Sequence, residues 1–478
     1  QALAESTSAW GVAPTGWSGG GDCSQVQGLT CDSNGTVVAI LMACLLMACF
    51  HKECFLMAIV CMKCHFMIVM SSDLSNTPLN GSIPPGIGSL TTLTLLNLAN
   101  CSLSGYIPVE FSALTSLSLL DLSHNTLQGT MPSFLSLLEN LRRLDLRNSS
   151  LSGAIPASIG MLPNLRFLDL SSNHLTLDVP ASLGRLNSLT LLDLSHNSLR
   201  SSIPSFLSLL ENLRRLDLSD SSLQGSIPAG LGMLPNLRFL NLSSNQLTSS
   251  IPASLGQIKS LTVLDLHNNT LTGTVPRSLG MLPRLKDMDI SDNGFSSSIP
   301  SALGFLTRLT RLKLSSCSLV GTVPGMLSYL TGLHTLDLSS NALNGSLPRL
   351  RRYSHLTRLD LSANAFEGNV SRGVGKLLQL QHLDLSNNQL SGSLPEGLGR
   401  ISLLSHLDIS GNLLNGTLLH ELDQLTALTS INLASNAFNG SIPKSLGNLT
   451  NLIALNFTMN LLNGSIPSSF GDFAHLLY

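Results

Sequence analysis

The 478-residue chain has 26 Lys and Arg against 28 Asp and Glu, so its formal net charge is −2. Only 11% of its residues are charged, and this balance does not favour a nucleic-acid partner. It contains neither an H-E-x-x-H zinc motif nor a phosphate-binding loop ending in Gly-Lys-Ser/Thr. These absences favour a non-catalytic protein, and we expect no cofactor.

Residues 1–40 contain two cysteines and a glycine-rich stretch. Residues 16–20 (Gly-Trp-Ser-Gly-Gly) match the letters of a nucleophile elbow but lack the strand and helix that this motif requires. Asp-Cys ending at Cys23 and Gly-Leu-Thr-Cys ending at Cys31 resemble the amino-terminal cap of plant receptor ectodomains. The resemblance implies a partial cap over residues 1–40 with a Cys23/Cys31 disulfide, which fits an oxidising compartment. Val26 stands where that family usually has Trp.

Residues 41–72 form an apolar segment that follows no repeat. Of these 32 residues, 22 are Leu, Ile, Val, Met, Phe or Cys, and five are Cys. Without the segment, Val37, Ile40 and Leu74 would take the leucine positions of a regular first repeat. We therefore interpret it as an insertion, such as a translated intron; a membrane segment and a genuine structural element remain as alternatives. Its single C-x-x-C motif is too weak to predict a metal site.

A 24-residue period runs from Val69 to the end of the chain. Leucines at positions 1, 4 and 6 of each repeat, such as Leu117, Leu120 and Leu122, predict a short strand with one buried face. Most repeats have Asn at position 9, whose amide would satisfy buried backbone groups at the turn. A strand of this kind buries its apolar face only against the next copy, so the repeats stack as a solenoid.

The second half of each repeat reads Leu-x-Gly-x-Ile-Pro, as in Leu-Ser-Gly-Tyr-Ile-Pro over residues 103–108. This pattern resembles the plant-type leucine-rich repeat of receptor-like kinases and receptor-like proteins. The resemblance implies an α/β solenoid, a right-handed superhelix of about 17 repeats with a parallel inner (concave) sheet and an additional outer strand at the Gly-x-Ile-Pro step. We assign the solenoid to residues 73–478 and interpret it as truncated at the carboxyl end, because no closing cysteine pair follows.

The polar residues are largely Ser, Thr and Asn, and many form Asn-x-Ser/Thr glycosylation motifs, which favour the secretory route. Some of these motifs arise from the repeated Leu-Asn-Gly-Ser step. The predicted acceptors are Asn34, Asn80, Asn100, Asn148, Asn241, Asn268, Asn344, Asn369, Asn415, Asn439, Asn448, Asn456 and Asn463.

Positions 2, 3, 5, 7 and 8 are expected to face solvent on the concave side, in columns spaced by about 4.8 Å. Position 5 forms an acidic column whose like charges repel. We expect Arg at position 2 to offset them in part. The column comprises Asp121, Asp145, Asp169, Asp193, Asp217, Asp265, Asp289, Asp337, Asp360, Asp384 and Asp408.

A basic and aromatic stripe occupies positions 2 and 3 of the middle repeats. One interpretation is charge balance within a duplicated block; the other is a ligand surface, since Arg and aromatic residues are typical of interaction hot spots. The stripe comprises Arg142, Arg143, Arg166, Phe167, Arg214, Arg215, Arg238 and Phe239.

Lys313 interrupts the acidic column, with Arg311 two residues before it, His334 nearby and Arg358 two repeats further on. This resembles the Arg-x-Arg pair by which several plant peptide-hormone receptors hold a ligand's terminal carboxylate, with Lys replacing the second Arg. The resemblance implies a site for an acidic or carboxylate-ended peptide in repeats 11 to 13.

Two further irregularities lie in the repeats. His382 and His406 continue the Arg358 column. Histidines in such a column are usually exposed without a special role, so we predict no metal site. The alternative is that they titrate with pH or bind a metal. Cys101 and Cys317 replace the expected Asn in repeats too distant for a disulfide.

The sequence thus predicts an extracellular or cell-surface recognition domain that binds a peptide or protein partner, with a co-receptor as a further candidate partner. Membrane association would require a carboxyl-terminal segment beyond Tyr478. The alternatives are a secreted inhibitor of pathogen cell-wall hydrolases, which the family also contains, and a non-functional gene fragment.

Overall fold

The computed structural model describes residues 29–31, 37–40, 71–473 and 475–477. The chain divides into two compact units, Gln1–Leu223 and Gln224–Tyr478. Both units are built from the predicted 24-residue repeat. The cysteine pair Cys23/Cys31, the acceptor Asn34 and most of the 41–72 segment lie outside the described side chains.

Among the described residues, seventeen three-residue strands line the inner side of the repeats, seven in the first unit and ten in the second. Within each unit, strands from successive repeats pair in parallel and in sequence order, so that Leu120 lies beside Leu144 and Leu336 beside Leu359. The first unit contains Ser71–Asp73, Leu95–Asn97, Leu119–Asp121, Arg143–Asp145, Phe167–Asp169, Leu191–Asp193 and Arg215–Asp217. The second contains Phe239–Asn241, Val263–Asp265, Asp287–Asp289, Arg311–Lys313, Thr335–Asp337, Arg358–Asp360, His382–Asp384, His406–Asp408, Ser430–Asn432 and Ala454–Asn456.

Leucines at positions 1, 4 and 6 form the core, and side chains such as Leu117, Leu120 and Leu122 are fully buried. Burying one leucine stabilises the fold by about 1.5 to 3 kcal/mol, and the period repeats this contribution along the chain. The predicted leucine-rich repeat solenoid is confirmed.

The asparagines at position 9 connect successive turns, as expected. Asn125 donates from Nδ2 to the carbonyls of Leu98, Leu122 and Ser123, and its Oδ1 accepts the amides of Cys101 and Leu103. The same pattern recurs at Asn173, Asn341 and Asn412. This asparagine column satisfies buried backbone groups in most repeats.

Cys101 and Cys317 are buried free thiols within the asparagine column. The Cys101 thiol donates to the Leu74 carbonyl at 3.1 Å, and the Cys317 thiol donates to that of Ile290 at 3.2 Å. Ser149 makes the equivalent bond to Leu122 at 2.9 Å. Burial raises the pKa of Cys317 to about 12, so this thiol stays protonated.

Short outer strands follow the asparagine column. In the first unit they are Gly81–Ser82, Leu103–Gly105, Thr126–Leu127, Ser152–Gly153 and His174–Leu175. The second unit has Gln224–Ser226, Gln246–Thr248, Thr272–Gly273 and Gly294–Phe295, then a seven-stranded sheet. That sheet comprises Val320–Thr322, Ala342–Ser346, Ala365–Asn369, Gln389–Gly392, Leu413–Thr417, Ala437–Ser441 and Leu461–Asn463.

The seven-stranded sheet coincides with an unbroken run of turn glycines. Each of its repeats has a glycine with positive φ at position 13, for example Gly321 at 79° and Gly440 at 75°. Four earlier repeats have Leu177, Ser201, Ser249 or Ser297 at this position. Of these, Leu177 and Ser249 have a positive φ of 68° and 67°, a strained conformation for a residue other than glycine. Among the described residues, the repeat that contains Ser201 has no outer strand.

Each repeat returns through a single 3-10 turn, usually preceded by proline, whose fixed φ suits this entry. The first unit contains Pro85–Ser89, Val109–Ala113, Ser133–Leu137, Ala157–Met161, Ala181–Arg185 and Ser205–Leu209. The second contains Ala229–Met233, Ala253–Gln257, Arg277–Met281, Ser301–Phe305, Gly325–Tyr329, Leu350–Arg352, Arg372–Lys376, Glu396–Arg400, His420–Gln424, Lys444–Asn448 and Ser468–Asp472.

The first inner strand includes the end of the segment interpreted as an insertion. Ser71–Asp73 pairs with Leu95–Asn97, which places Ser72 at position 4, where the following repeats have leucine. Ser72 is 2% exposed and its hydroxyl has no hydrogen-bond partner. Val37–Ile40 instead pairs antiparallel with Leu29–Cys31. The interpretation of residues 41–72 as an insertion stays a prediction.

Candidate functional site

The position-3 side chains form a column along the inner sheet of each unit, here called the position-3 column. Strand register aligns Arg143 with Phe167 in the first unit. In the second unit, Asp287, Arg311, Thr335, Arg358, His382 and His406 follow one another. The predicted ligand residues Arg311 and Arg358 are therefore separated by the single strand that contains Thr335.

The aspartates at position 5 are largely buried, so the expectation that they face solvent was wrong. Asp145 is 0% and Asp289 4% exposed. In most of these repeats the carboxylate accepts hydrogen bonds from the residue two positions on, as Asp193 does from both the amide and hydroxyl of Ser195. The Asp-x-Ser spacing thus caps the end of most inner strands.

Burial and repulsion act together on this aspartate column. Desolvation, reinforced by Asp121 and Asp169, raises the pKa of Asp145 to about 6. Desolvation also raises the pKa of Asp193 to about 6, with Asp217 and Asp169 adding to the effect. Stacked carboxylates in a low-dielectric environment disfavour each other's ionised form.

The cations that offset the aspartate column do not come from position 2. Among the described residues, ion pairs to it come from other positions, as from Arg143 at position 3 and Arg147 at position 7. The position-2 residues of the stripe are exposed: Arg142, Arg166, Arg214 and Arg238. The side chain two residues before the aspartate is the more useful sequence signal for its partner.

The position-3 residues of the stripe are half-buried, including Phe167 and Phe239, which were expected to be exposed. Arg143 donates to Asp145 at 2.8 Å, and its guanidinium carbon lies 3.6 Å from the centre of the Phe167 ring. Arg215 likewise donates to Asp217 at 2.8 Å. These contacts explain the charge balance, while the exposed arginines at position 2 leave a basic surface.

Arg311 and Lys313 lie opposite two aspartates of the preceding inner strand. Arg311 Nε is 2.7 Å from Asp287 Oδ1, and Lys313 Nζ is 3.4 Å from Asp289 Oδ2. The Asp287 hydrogen bond is the main factor that raises the pKa of Arg311. The terminal nitrogens of this guanidinium have no protein partner among the residues described. One edge is therefore fixed, and the other could take a carboxylate.

His334 and Arg358 do not complete a cluster with Arg311. The His334 Nδ1 lies 3.0 Å from the Gly332 carbonyl, and its ring centre is 6.0 Å from that of His355. Arg358 donates to Asp360 at 3.1 Å and keeps 44% of its side chain exposed. The structure thus brings together Arg311, Lys313 and their aspartates, with Arg358 two strands away.

His382 and His406 stack on each other with ring centres 4.4 Å apart and an interplanar angle of 5°. Together with Asp384 they offer three ligand atoms that lie within 4.8 Å of one another. Asp265, His267 and Asp289 form a second such group. The sequence prediction left out Asp384 and this second group, although position-5 aspartates 24 residues apart next to histidines were the available signal.

Of the twelve predicted glycosylation acceptors that the structure describes, all but one are exposed. The exception, Asn241, is half-buried at position 5, where its Oδ1 accepts from the amide and hydroxyl of Ser243. Glycosylation stays a prediction at every acceptor, and Asn241 has the least accessible amide.

Sequence models of leucine-rich repeats match much of the chain. A leucine-rich repeat region matches residues 129–344, and a leucine-rich repeat model matches residues 354–414. A single-repeat model matches residues 92–114, 116–138 and 427–449. No curated protein sequence matches the chain.

Three solved plant ectodomains are similar in structure. The receptor kinase GASSHO1/SCHENGEN3 from Arabidopsis thaliana, in complex with CASPARIAN STRIP INTEGRITY FACTOR 2, is 36% identical with a TM-score of 0.68, over 85% of this chain and 55% of that one. The chain thus spans little more than half of the GASSHO1 ectodomain.

The Arabidopsis receptor kinase HAESA, in complex with an N-terminally extended IDA peptide hormone, is 30% identical with a TM-score of 0.76, over 99% of this chain and 80% of that one. The plant peptide hormone receptor RGFR1, in complex with RGF2, is 30% identical with a TM-score of 0.68, over 86% of this chain and 78% of that one.

Among the described residues, no helix has the length and apolarity to cross a membrane. The chain belongs to the plant-type leucine-rich repeat family of receptor ectodomains.

Proposed function

We propose that this chain is an extracellular, non-catalytic recognition domain that binds a peptide or protein on its concave face. The observation that carries this proposal is the similarity to HAESA over 99% of the chain, because that ectodomain was solved with a peptide hormone. HAESA has also been solved with the co-receptor SERK1, so a co-receptor is part of the proposal.

Within this domain, we propose that Arg311 and Lys313 bind a carboxylate of the ligand. They stand where the aspartate column is interrupted, and the terminal nitrogens of Arg311 face no protein acceptor among the described residues. A bidentate carboxylate fits a guanidinium edge. Asp287 and Asp289 neutralise part of the charge, so the carboxylate adds to an existing network. His334 and Arg358 would contact neighbouring parts of the ligand.

The first unit contains Arg142, Arg143, Arg166, Phe167, Arg214 and Arg215 of the stripe, and the second contains Arg238 and Phe239. In each unit taken by itself, the stripe is a further candidate surface. Its exposed arginines suit acidic side chains of a partner. A secreted inhibitor of cell-wall hydrolases is the alternative, but no geometric feature favours it over the receptor type.

Synthetic IDA, RGF2 and CASPARIAN STRIP INTEGRITY FACTOR 2 peptides, each as the free acid and as the carboxyl-terminal amide, test the proposal by calorimetry. We expect the wild-type domain to bind at least one free acid, with the affinity falling at least about tenfold on amidation or in Arg311→Ala/Lys313→Ala protein. Arg277→Ala, on the outer turn, is the control. Equal binding of acid and amide would rule out the carboxylate site, and no binding of any peptide would contradict recognition of such hormones.

A further inference from the structure

We propose that His382, Asp384 and His406 form a binding site for a divalent transition-metal ion, with Zn²⁺ as the ion to test. The site lies on the inner sheet of the second unit. It does not depend on the peptide proposal, because its ligands are separate from Arg311 and Lys313.

The strand register brings the three side chains to one place. His382 and His406 are directly paired on neighbouring parallel strands. His382 and Asp384 are two residues apart on one strand and therefore share a face. Ligands of a tetrahedral zinc ion lie about 2.0 to 2.2 Å from the metal, which places them roughly 3.3 Å apart. The ligand atoms lie within 4.8 Å of one another, and the two rings, now stacked with centres 4.4 Å apart, must turn out of this parallel arrangement to point both nitrogens at one ion.

The Nε2 atom of His382 is buried and has no hydrogen-bond partner among the described residues. Leaving such a group unpaired costs about 1 to 3 kcal/mol, and a bound metal would provide its partner.

Asp384 differs from its two neighbours in the aspartate column. Both oxygens of Asp408 accept bonds, Oδ1 from Ser410 and Oδ2 from Asn432 at 2.9 Å. Asp360 likewise uses Oδ1 for Ser362 and Oδ2 for Arg358. In Asp384, Oδ1 accepts from Ser386, and among the described residues Oδ2 has no donor. The carboxylate with a free oxygen is thus the one beside the two histidines.

The group Asp265, His267 and Asp289 provides an internal comparison. Its single imidazole is already bound, with His267 Nδ1 2.7 Å from Asp265 Oδ1. Asp289 accepts from Ser291 and lies 3.4 Å from Lys313 Nζ. This group has similar spacing but contains one imidazole instead of two, so we expect it to bind zinc much more weakly.

Two imidazoles with one carboxylate are a ligand set that suits Zn²⁺ and Cu²⁺ better than Ca²⁺ or Mg²⁺, because imidazole nitrogen is a borderline ligand. Three protein ligands leave a fourth position open toward the concave side. That position would hold water, or a donor from a partner that docks on the same face.

Calorimetric titration of the full, EDTA-treated and desalted chain with ZnCl2 tests the site, and Co²⁺ absorption reports its geometry. We expect one equivalent of Zn²⁺ to bind, with affinity lowered at least about tenfold in His406→Ala and in Asp384→Asn. His267→Ala is the matched control and should bind as the wild type does. Thermal unfolding without metal should show that the variants are folded; His406→Gln replaces any variant that is not.

The proposal is overturned if the metal-free wild type does not bind zinc at millimolar concentration. It is equally overturned if His406→Ala and Asp384→Asn bind with unchanged affinity, or if His267→Ala loses binding to the same extent. Intense Co²⁺ absorption bands of a tetrahedral site, lost in His406→Ala, would support it.

Discussion

The asparagine column and the aspartate column are both buried polar ladders repeated every 24 residues, yet they have opposite electrostatic consequences. Each asparagine is neutral and matches its amide to backbone donors and acceptors, as Asn125 does. Each aspartate caps a strand end but places a carboxylate about 4.8 Å from the next. The amide ladder stabilises the solenoid at any pH, whereas the carboxylate ladder does so at a cost that depends on pH.

Asn293→Ala should give the largest loss of stability. Asn293 donates to the carbonyls of Leu266, Ile290 and Ser291 and accepts the amide of Leu271. Leaving these buried groups unpaired should lower the free energy of unfolding by about 3 to 5 kcal/mol, equally at pH 5 and pH 8. Urea unfolding at both pH values measures it.

Asn293→Ser is the control, because Ser149 occupies the same position naturally and keeps the bond to the preceding repeat. We expect it to lose less than the alanine variant by roughly 1 kcal/mol. A loss from Asn293→Ala that varies with pH would contradict the neutral character of this column.

Asp193→Asn should instead stabilise the protein near neutral pH. With a folded-state pKa of about 6 against 3.8 when unfolded, the folded protein holds a proton that the unfolded chain releases between these values. Stability therefore falls as pH rises through this window, and the deficit is complete above about pH 6. The amide keeps the acceptor for Ser195 and removes the deficit, about 2 to 3 kcal/mol.

Thermal unfolding from pH 4 to pH 8 measures this gain, which should vanish near pH 4. Asn241 provides a natural precedent, since it accepts from Ser243 in the same way. If Asp193→Asn were less stable than the wild type at pH 7, the aspartate column would contribute favourable charge interactions that outweigh its repulsion.

His267→Gln should have the smallest effect. The Asp265 hydrogen bond is the main factor that raises the pKa of His267, so its contribution is present below the unfolded pKa and is lost as pH rises through the folded value. With 37% of the side chain exposed, solvent screening limits the loss to about 0.5 kcal/mol at pH 5.5. Paired melting curves at pH 5.5 and pH 8 should differ only at the lower pH.

The sequence predicts much of this fold because one 24-residue period specifies strand register, leucine burial and the asparagine column together. A single repeat also shows the Asp-x-Ser spacing, but the alternation of side chains along a strand says that position 5 faces outward. The structure buries the carboxylate on that outward face, where it accepts a hydrogen bond from Ser195, and hydrophobic periodicity contains no information about that bond.

The candidate sites were less predictable, because the residues that contact their side chains lie one repeat away in the sequence. Arg311 and Lys313 alone suggest two free cations, whereas Asp287 and Asp289 are found only by reading the aligned position 24 residues earlier. The stacking of His382 on His406 follows from register. The unpaired Nε2 of His382 does not, because it depends on which neighbouring donors and acceptors are already in use.

Ser72 makes the first inner strand easier to open than the strands that follow it. In a stack where each repeat is stabilised only by its neighbours, a serine at a leucine position forgoes about 1.5 to 3 kcal/mol of burial, and its hydroxyl is buried without a partner. The strand Ser71–Asp73 should therefore fray while later strands remain paired. Its backbone amides would exchange with solvent through local excursions, long before the rest of the first unit unfolds.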